Sequence, residues 1–249
     1  MFKKVAIIAV AGALAASLAG CAQGEGGSEE NAQEPQQEQK ADEGSWASDA
    51  EQASNAAEAP SSPQPYLKES GWSYSGGHVN FCAIVGNTDP INCYVLMPLD
   101  VTAKAADGTI LANETFYAQW IAPNDTMPVH GVLSNLSEEP AEVTVDFSFK
   151  EGSKPGNDYT LADMPVTNVT DTGVKVTGEY ENKTGCDFQR GVTVFVVFRD
   201  NGKIVGGCEE FDYSNPCPNG KRSAFDATYQ HNGIPEHDSV DVYAVPNLM

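Results

Sequence analysis

The densest group of oxygen ligands in the chain is Glu209-Glu210-Phe211-Asp212, followed by Tyr213 and Asn215. Calcium takes about six to eight oxygens, often from such a cluster supplemented by backbone carbonyls. In an extended strand Glu210 and Asp212 share one face, and Asp226 is a candidate third ligand from across the sheet. No EF-hand loop accompanies them, and a solvated strand face explains the same residues. The four histidines are His78, His130, His231 and His237. The last two flank Glu236 without the helical spacing of a zinc protease, and a zinc site needs three or four converging ligands. Ordinary surface or strand-end histidines are expected.

Nucleophilic and phosphate chemistry find less. The string nearest to a nucleophile elbow is Gly71-Trp72-Ser73-Tyr74-Ser75, whose last position is wrong and which no helix pattern follows. Neither a Walker-type loop nor a dinucleotide fingerprint occurs. Carboxylates for glycoside hydrolysis must face each other across a cleft, and the acids here are scattered. The expectation is a chain that is not an enzyme and needs no cofactor, with Ca2+ as the alternative.

Five cysteines follow Cys21, namely Cys82, Cys93, Cys186, Cys208 and Cys217. With an odd number, at least one thiol is free or bonded between chains. A hairpin centred between Asn201 and Gly202 brings Cys186 opposite Cys217, within reach of a disulfide. Cys208 is the poorer partner for Cys217. Cys82 and Cys93 are the available pair upstream, although a hairpin centred on residues 87–92 sets Cys82 opposite Met97 instead. No Cys-x-x-Cys is present, so neither a thioredoxin-type pair nor a cysteine-rich zinc site is supported.

The elements that would position these residues are strands. From Tyr66 onward strand-like runs alternate with Gly, Pro, Asn and Asp, and no stretch keeps a helical period. Val143–Phe149 and Val174–Tyr180 alternate apolar and polar. Val192–Phe198 is apolar on both faces, as a central strand would be, and it runs into Asn201-Gly202, which suits a tight hairpin. Phe116-Tyr117-Ala118-Gln119-Trp120 puts Phe116 and Trp120 on one face and Tyr117 on the other. If the first face is core, Tyr117 is exposed. With Trp72, Tyr74, Tyr213 and Tyr229 these are the aromatics that could line a binding surface, although core packing is their ordinary role.

An internal repeat underlies the pattern. At an offset of 95, Val79 meets Val174, Asn87 meets Asn182, Asn124 meets Asn219 and Val145 meets Val240, and Asp107-Gly108 meets Asn201-Gly202 after a one-residue gap. Each unit reads as six or seven short strands. The fold class expected is all-β, with two tandem immunoglobulin-like β-sandwiches at residues 66–160 and 161–249.

The run Phe195-Val196-Val197-Phe198-Arg199-Asp200-Asn201-Gly202-Lys203-Ile204-Val205 resembles the FxLYD domains of bacterial and archaeal envelope proteins. Phe198 stands where that family has Tyr, and Arg199 intervenes before Asp200. Val101–Gly108 keeps the turn and lacks the aromatic. The resemblance spans residues 170–245 and, more loosely, 72–150. It implies a β-sandwich on the cell surface and brings no catalytic residues.

The N-terminus carries an address. Lys3 and Lys4 precede an apolar run from Val5 to Leu18, shorter than the ~20 residues a spanning helix needs. Leu18-Ala19-Gly20-Cys21 resembles the bacterial lipobox. That implies cleavage of residues 1–20, lipidation of Cys21 and a protein tethered by acyl chains to the extracytoplasmic face of a membrane. Without Lys3 and Lys4 the chain keeps 12 basic against 35 acidic residues, a net charge of −23, which argues against nucleic acid as a partner. Residues 22–65 hold ten carboxylates against Lys40, with Trp46 the only aromatic. Too little apolar surface is present to offset ordering, so a disordered stalk with an r.m.s. span of about 35–40 Å is expected. The reading at this point is a non-catalytic surface lipoprotein that binds an envelope protein or polymer. The alternative is a solute- or metal-binding lipoprotein.

Overall fold

Alternation and turn residues cut the chain into strands. The computed structural model describes residues 56–149, 154–155, 159–212, 216–228 and 235–247. The expectations placed on the signal sequence, Cys21, Trp46 and most of the acidic stalk lie outside these residues, as do those on Tyr213, Asn215, Tyr229 and His231.

Among the described residues thirteen strands are present: β1 Pro65–Ser75, β2 His78–Asn87, β3 Asn92–Lys104, β4 Ile110–Ile121, β5 Thr126–Leu133, β6 Glu142–Phe147, β7 Lys154–Pro155, β8 Val166–Asp171, β9 Lys175–Glu181, β10 Val192–Asp200, β11 Lys203–Asp212, β12 Arg222–Thr228 and β13 Ser239–Pro246. All ladders are antiparallel. The sheets run β1-β2-β5, β4-β3-β6 with β7 beside β3, β12-β9-β8 and β11-β10-β13. The fold is therefore all-β, two tandem β-sandwiches. Among the described residues no helix is long and apolar enough to cross a membrane.

The two sandwiches repeat each other strand for strand. Replacing β1–β6 by β8–β13 in order converts the first pair of sheets into the second. Both hairpins carry a register shift at the same place, Ala103/Lys104 and Phe198/Arg199, 95 residues apart. Bulges re-aim strands and behave as built features, so matching bulges support a duplicated unit.

The repeated asparagine shows why the offset holds. Asn87 Nδ2 donates to the carbonyls of Asn92 (2.9 Å) and Ala122 (3.0 Å), and its Oδ1 accepts from the Asp89 N–H. Asn182 Nδ2 donates to Cys186 (2.9 Å) and Cys217 (2.8 Å), and its Oδ1 accepts from the Thr184 N–H. One amide thus ties the end of its strand to two loops in each sandwich. The other offset pairs divide. Val145 and Val240 occupy equivalent strands, but Val174 lies outside β9 and is 70% exposed, unlike the buried Val79. Asn124 has φ 53°, and the left-handed counterpart in the second sandwich is Gly220 rather than Asn219.

Inward faces follow the alternation. Met97, Leu99, Val101 and Ala103 of β3 pack with Phe81, Val79, Ala118 and Trp120. Every residue from Val192 to Phe198 is buried, because β10 is the central strand of its sheet and both of its faces are covered.

Candidate functional site

Two surfaces gather polar groups in unusual geometry, the junction between the sandwiches and the outer face of β4-β3-β6. At the junction β1 and β2 meet β11. The chains approach so closely that a Cβ added at Gly71 would lie 1.8 Å from the Ile204 carbonyl oxygen, and one at Gly207 would lie 3.0 Å from Cys82 Cβ. Between them Cys82, Ile84, Val197 and Ile204 form a small apolar cluster of their own. Asn80 Nδ2 donates to the Gly207 carbonyl (2.9 Å) and Gly207 N–H donates to Asn80 Oδ1 (3.0 Å). At the rim Arg199 reaches Glu69 through two bonds, Nη1 to Oε2 at 2.9 Å and Nη2 to Oε1 at 2.7 Å, while its Nε donates to Asp241. The Arg199 hydrogen bond holds the Glu69 carboxyl below the usual carboxylate range against the opposing effect of burial. Such a two-pronged contact fixes orientation as well as charge.

The connection between the sandwiches is also docked. Tyr159 packs edge-on against Trp120 of the first and Phe188 of the second, with centroids 5.3 and 5.4 Å apart. Leu161 N–H donates to Asp125 Oδ2 at 2.7 Å, and burial raises the Asp125 carboxyl above its ordinary range.

Inside the junction Cys82 stands directly opposite His130 in register, and His130 Nδ1 lies 4.0 Å from Glu209 Oε1. Thiol, imidazole and carboxylate in that order suggest nucleophilic chemistry. The burial argues otherwise: Cys82 is fully enclosed, its thiol is pushed far up, and a thiolate is the form such chemistry needs. Neither nitrogen of His130 has a hydrogen-bond partner among the described residues, and its side chain is only 9% exposed. His130 is thus a buried interface residue, contrary to the surface or strand-end position expected for it. His78 does take such a position, opening β2 with its Nδ1 3.1 Å from Ser134 Oγ.

The expected cysteine pairs are not joined: no disulfide links Cys186 to Cys217 or Cys82 to Cys93. Cys82 belongs to the junction cluster, and Cys93 and Cys208 to the main core. Cys217 faces Phe188, not Cys186, because the bulge at Phe198/Arg199 displaces the β10–β11 register and the bridge beyond Val192 and Asp212 is displaced further. The candidate calcium ligands are likewise divided. Glu210 and Asp212 belong to β11, in the sheet with β10, whereas Asp226 belongs to β12, in the sheet with β9. Asp226 is not across the sheet from them, and its carboxylate pairs with Lys175 Nζ at 2.6 Å. No group of three metal-ligating side chains occurs among the described residues.

The outer face of β4-β3-β6 is set by alternation. With Leu99 and Val101 inward, Pro98, Asp100 and Thr102 point outward, and the register places Tyr117, Thr115 and Asn113 of β4 beside them in that order. Asn113 Nδ2 donates to Thr102 Oγ1 and Thr115 Oγ1 donates to Asp100 Oδ1. Phe116 packs inward on Phe81 at 4.7 Å, and Tyr117 is 54% exposed, as the spacing of Phe116, Tyr117 and Trp120 implies. Of the other candidate aromatics, Trp72 is buried and Tyr74 packs against the core. Leu96, with φ 51°, and Ile91 and Val95 are exposed around the start of β3. The opposite end of the stack differs. The outer face of β12-β9-β8 bears the pairs Lys175–Asp226 and Arg222–Glu181 and the Asn168–Glu179 hydrogen bond.

Sequence reasoning passed over Glu69 and Asn80, and weighed Gly71 only as the start of a string resembling a nucleophile elbow. The legible signals were glycines inside strand patterns at Gly71 and Gly206-Gly207, which mark close backbone approach, and a lone Arg199 ending an apolar strand. No family model matches the chain, and no curated protein matches it.

Proposed function

We propose that the protein is a non-catalytic binding module of the cell envelope, tethered through lipidated Cys21 to the extracytoplasmic side of a membrane. Its contact surface is the outer face of β4-β3-β6. The observation that carries this reading is Tyr117, a large aromatic exposed on a regular sheet face between Pro98 and Thr115 instead of packed like its neighbours. Aromatics so placed are where binding energy concentrates. Several charged groups are committed to structure, Arg199 and Glu69 at the junction, Asp125 under the connection and Asp226 in an ion pair, which supports a binding role over catalysis. The acidic balance favours a neutral or basic partner over nucleic acid or anionic lipid.

The test is crosslinking on intact cells from a photoreactive residue at position 117, beside one at the outward position 224 of β12. Capture of a single envelope component from position 117 only, weakened roughly tenfold or more by Thr115→Arg, is expected. Equal, diffuse labelling from both positions would remove the case for this face.

A further inference from the structure

His237 sits in the segment that leads into β13, its side chain only 7% exposed and its ring against Phe198 at 4.7 Å between centroids. Its Nδ1 lies 2.6 Å from the Pro235 carbonyl oxygen, and its Nε2 lies 2.7 Å from Asp171 Oδ2 at the end of β8. A carbonyl oxygen and an ionised carboxylate can only accept. A neutral imidazole has one N–H and one lone pair, so it satisfies one of these contacts and turns a lone pair toward the other. Both are satisfied only by the imidazolium. Protonating Asp171 instead is disfavoured: burial pushes its carboxyl up, but the Gly173 N–H and the His237 ring outweigh that and hold it below the ordinary range.

We propose that His237 is a proton-operated clasp, closed as the imidazolium and released when the ring loses its second proton. The charged groups around it are Asp171 from β8, Asp238 from its own segment and Arg199 from β10, whose guanidinium is turned to Glu69 and Asp241. The Asp171 carboxylate contacts the ring, the Asp238 carboxylate lies near enough to feel its charge, and the Arg199 cation is already paired. What the clasp closes is the entry to β13. Just beyond it Asp238 N–H donates to the Arg199 carbonyl (2.8 Å) and Asp238 Oδ2 accepts from Asn201 N–H (2.9 Å). Arg199 also makes the two-pronged contact with Glu69 of the first sandwich, so the protonation of His237 bears on the strand end that locks the two sandwiches together.

The test uses the full chain, its Asp171→Asn and His237→Gln variants, and ring ¹⁵N spectra. With an acceptor against each ring nitrogen, both His237 nitrogens should show the protonated signature in the wild type under conditions where Asp171→Asn does not. The amide introduced by Asp171→Asn can donate to a neutral Nε2, so this substitution should convert the ring to a single tautomer protonated at Nδ1 while the fold is kept. The melting midpoint of the wild type should fall by about 2–4 °C as the pH rises through the titration of the ring, and that step should be missing in both variants. Identical ring spectra in the wild type and Asp171→Asn, or the same step in Asp171→Asn, overturns the proposal. The spectra decide it even if His237→Gln does not fold.

Discussion

Asn80 and Gly207 exchange two hydrogen bonds across the junction of the sandwiches, a side-chain amide pairing with a backbone as a neighbouring strand would. Both groups are buried there, so neither water nor another residue replaces a lost partner. Asn80→Ala is expected to destabilise the protein by about 2–4 kcal/mol, since it leaves a buried N–H and a buried C=O unmade. Chemical denaturation checks this, and a change below about 1 kcal/mol would mean the junction opens to water. Asn80→Asp should be worse than Ala, because it buries a charge and loses the donor.

Gly71→Ala separates docking from folding. The new methyl would overlap the Ile204 carbonyl, and backbone cannot step aside as a side-chain tip can. Each sandwich keeps the inner faces of its own two sheets, so circular dichroism should retain its β signature while the scattering radius increases and a second unfolding transition appears. A single unshifted transition would show that the junction absorbs the methyl.

The Glu69–Arg199 contact predicts acid sensitivity. Glu69 is depressed in the folded state, so its contribution is fully present above the unfolded carboxylate value of about 4.3 and is lost as the pH falls through the lower, folded value. The wild type should lose stability faster than Glu69→Gln below about pH 4, and the two curves should converge at the acid end. Parallel curves would rule out this pair as a source of acid sensitivity.

Asn87 and Asn182 each make one fully buried bond in matching places, to Ala122 and Cys217, so alanine at either should destabilise the protein by roughly 1–3 kcal/mol. Proteolysis will show which loops loosen. Cleavage near residues 88–92 is expected in the first variant and near 183–187 in the second, and crossed patterns would refute the equivalence.

Asp125 carries a carboxylate that burial disfavours, while accepting the Leu161 N–H. Its raised value means that ionisation costs stability as the pH rises through it. Asp125 also accepts the Thr126 N–H through Oδ1, so Asp125→Asn keeps one acceptor of two, removes the charge and should cost less than Asp125→Ala, which should cost about 1–3 kcal/mol. Equal losses would show that charge and not acceptance is what the connection uses.

The all-β class, the repeat and the central strand were legible because they rest on local facts: period-two alternation, Asn-Gly at a turn, and an unbroken apolar run from Val192 to Phe198. The inward Phe116 and Trp120 and the outward Tyr117 follow from the same period. What could not be read depends on distant partners. The facing of Cys217 is set by the bulge at Phe198/Arg199 and the further displacement at the bridge to Phe188, and a sum of positions about a turn sees neither. A place for Asp226 beside Glu210 requires one sheet, whereas the sandwich assigns β11 and β12 to opposite layers. The junction was invisible for a related reason. Its apolar content is small, and its specificity lies in glycines and one amide, residues that the hydrophobic pattern discounts.

The junction is head-to-tail, since the three-stranded β1-β2-β5 face of one copy receives the hairpin face of the next. Stacking of this kind has no built-in end and, repeated, gives fibres. Here the next receiving face, β12-β9-β8, presents Lys175, Asp226, Arg222 and Glu181 where the first presents Gly71, Cys82 and Ile84. A third unit or a neighbouring molecule laid there would have to strip water from four charges for little apolar gain. The ion pairs leave this end of the stack without the apolar surface that the junction between the sandwiches uses.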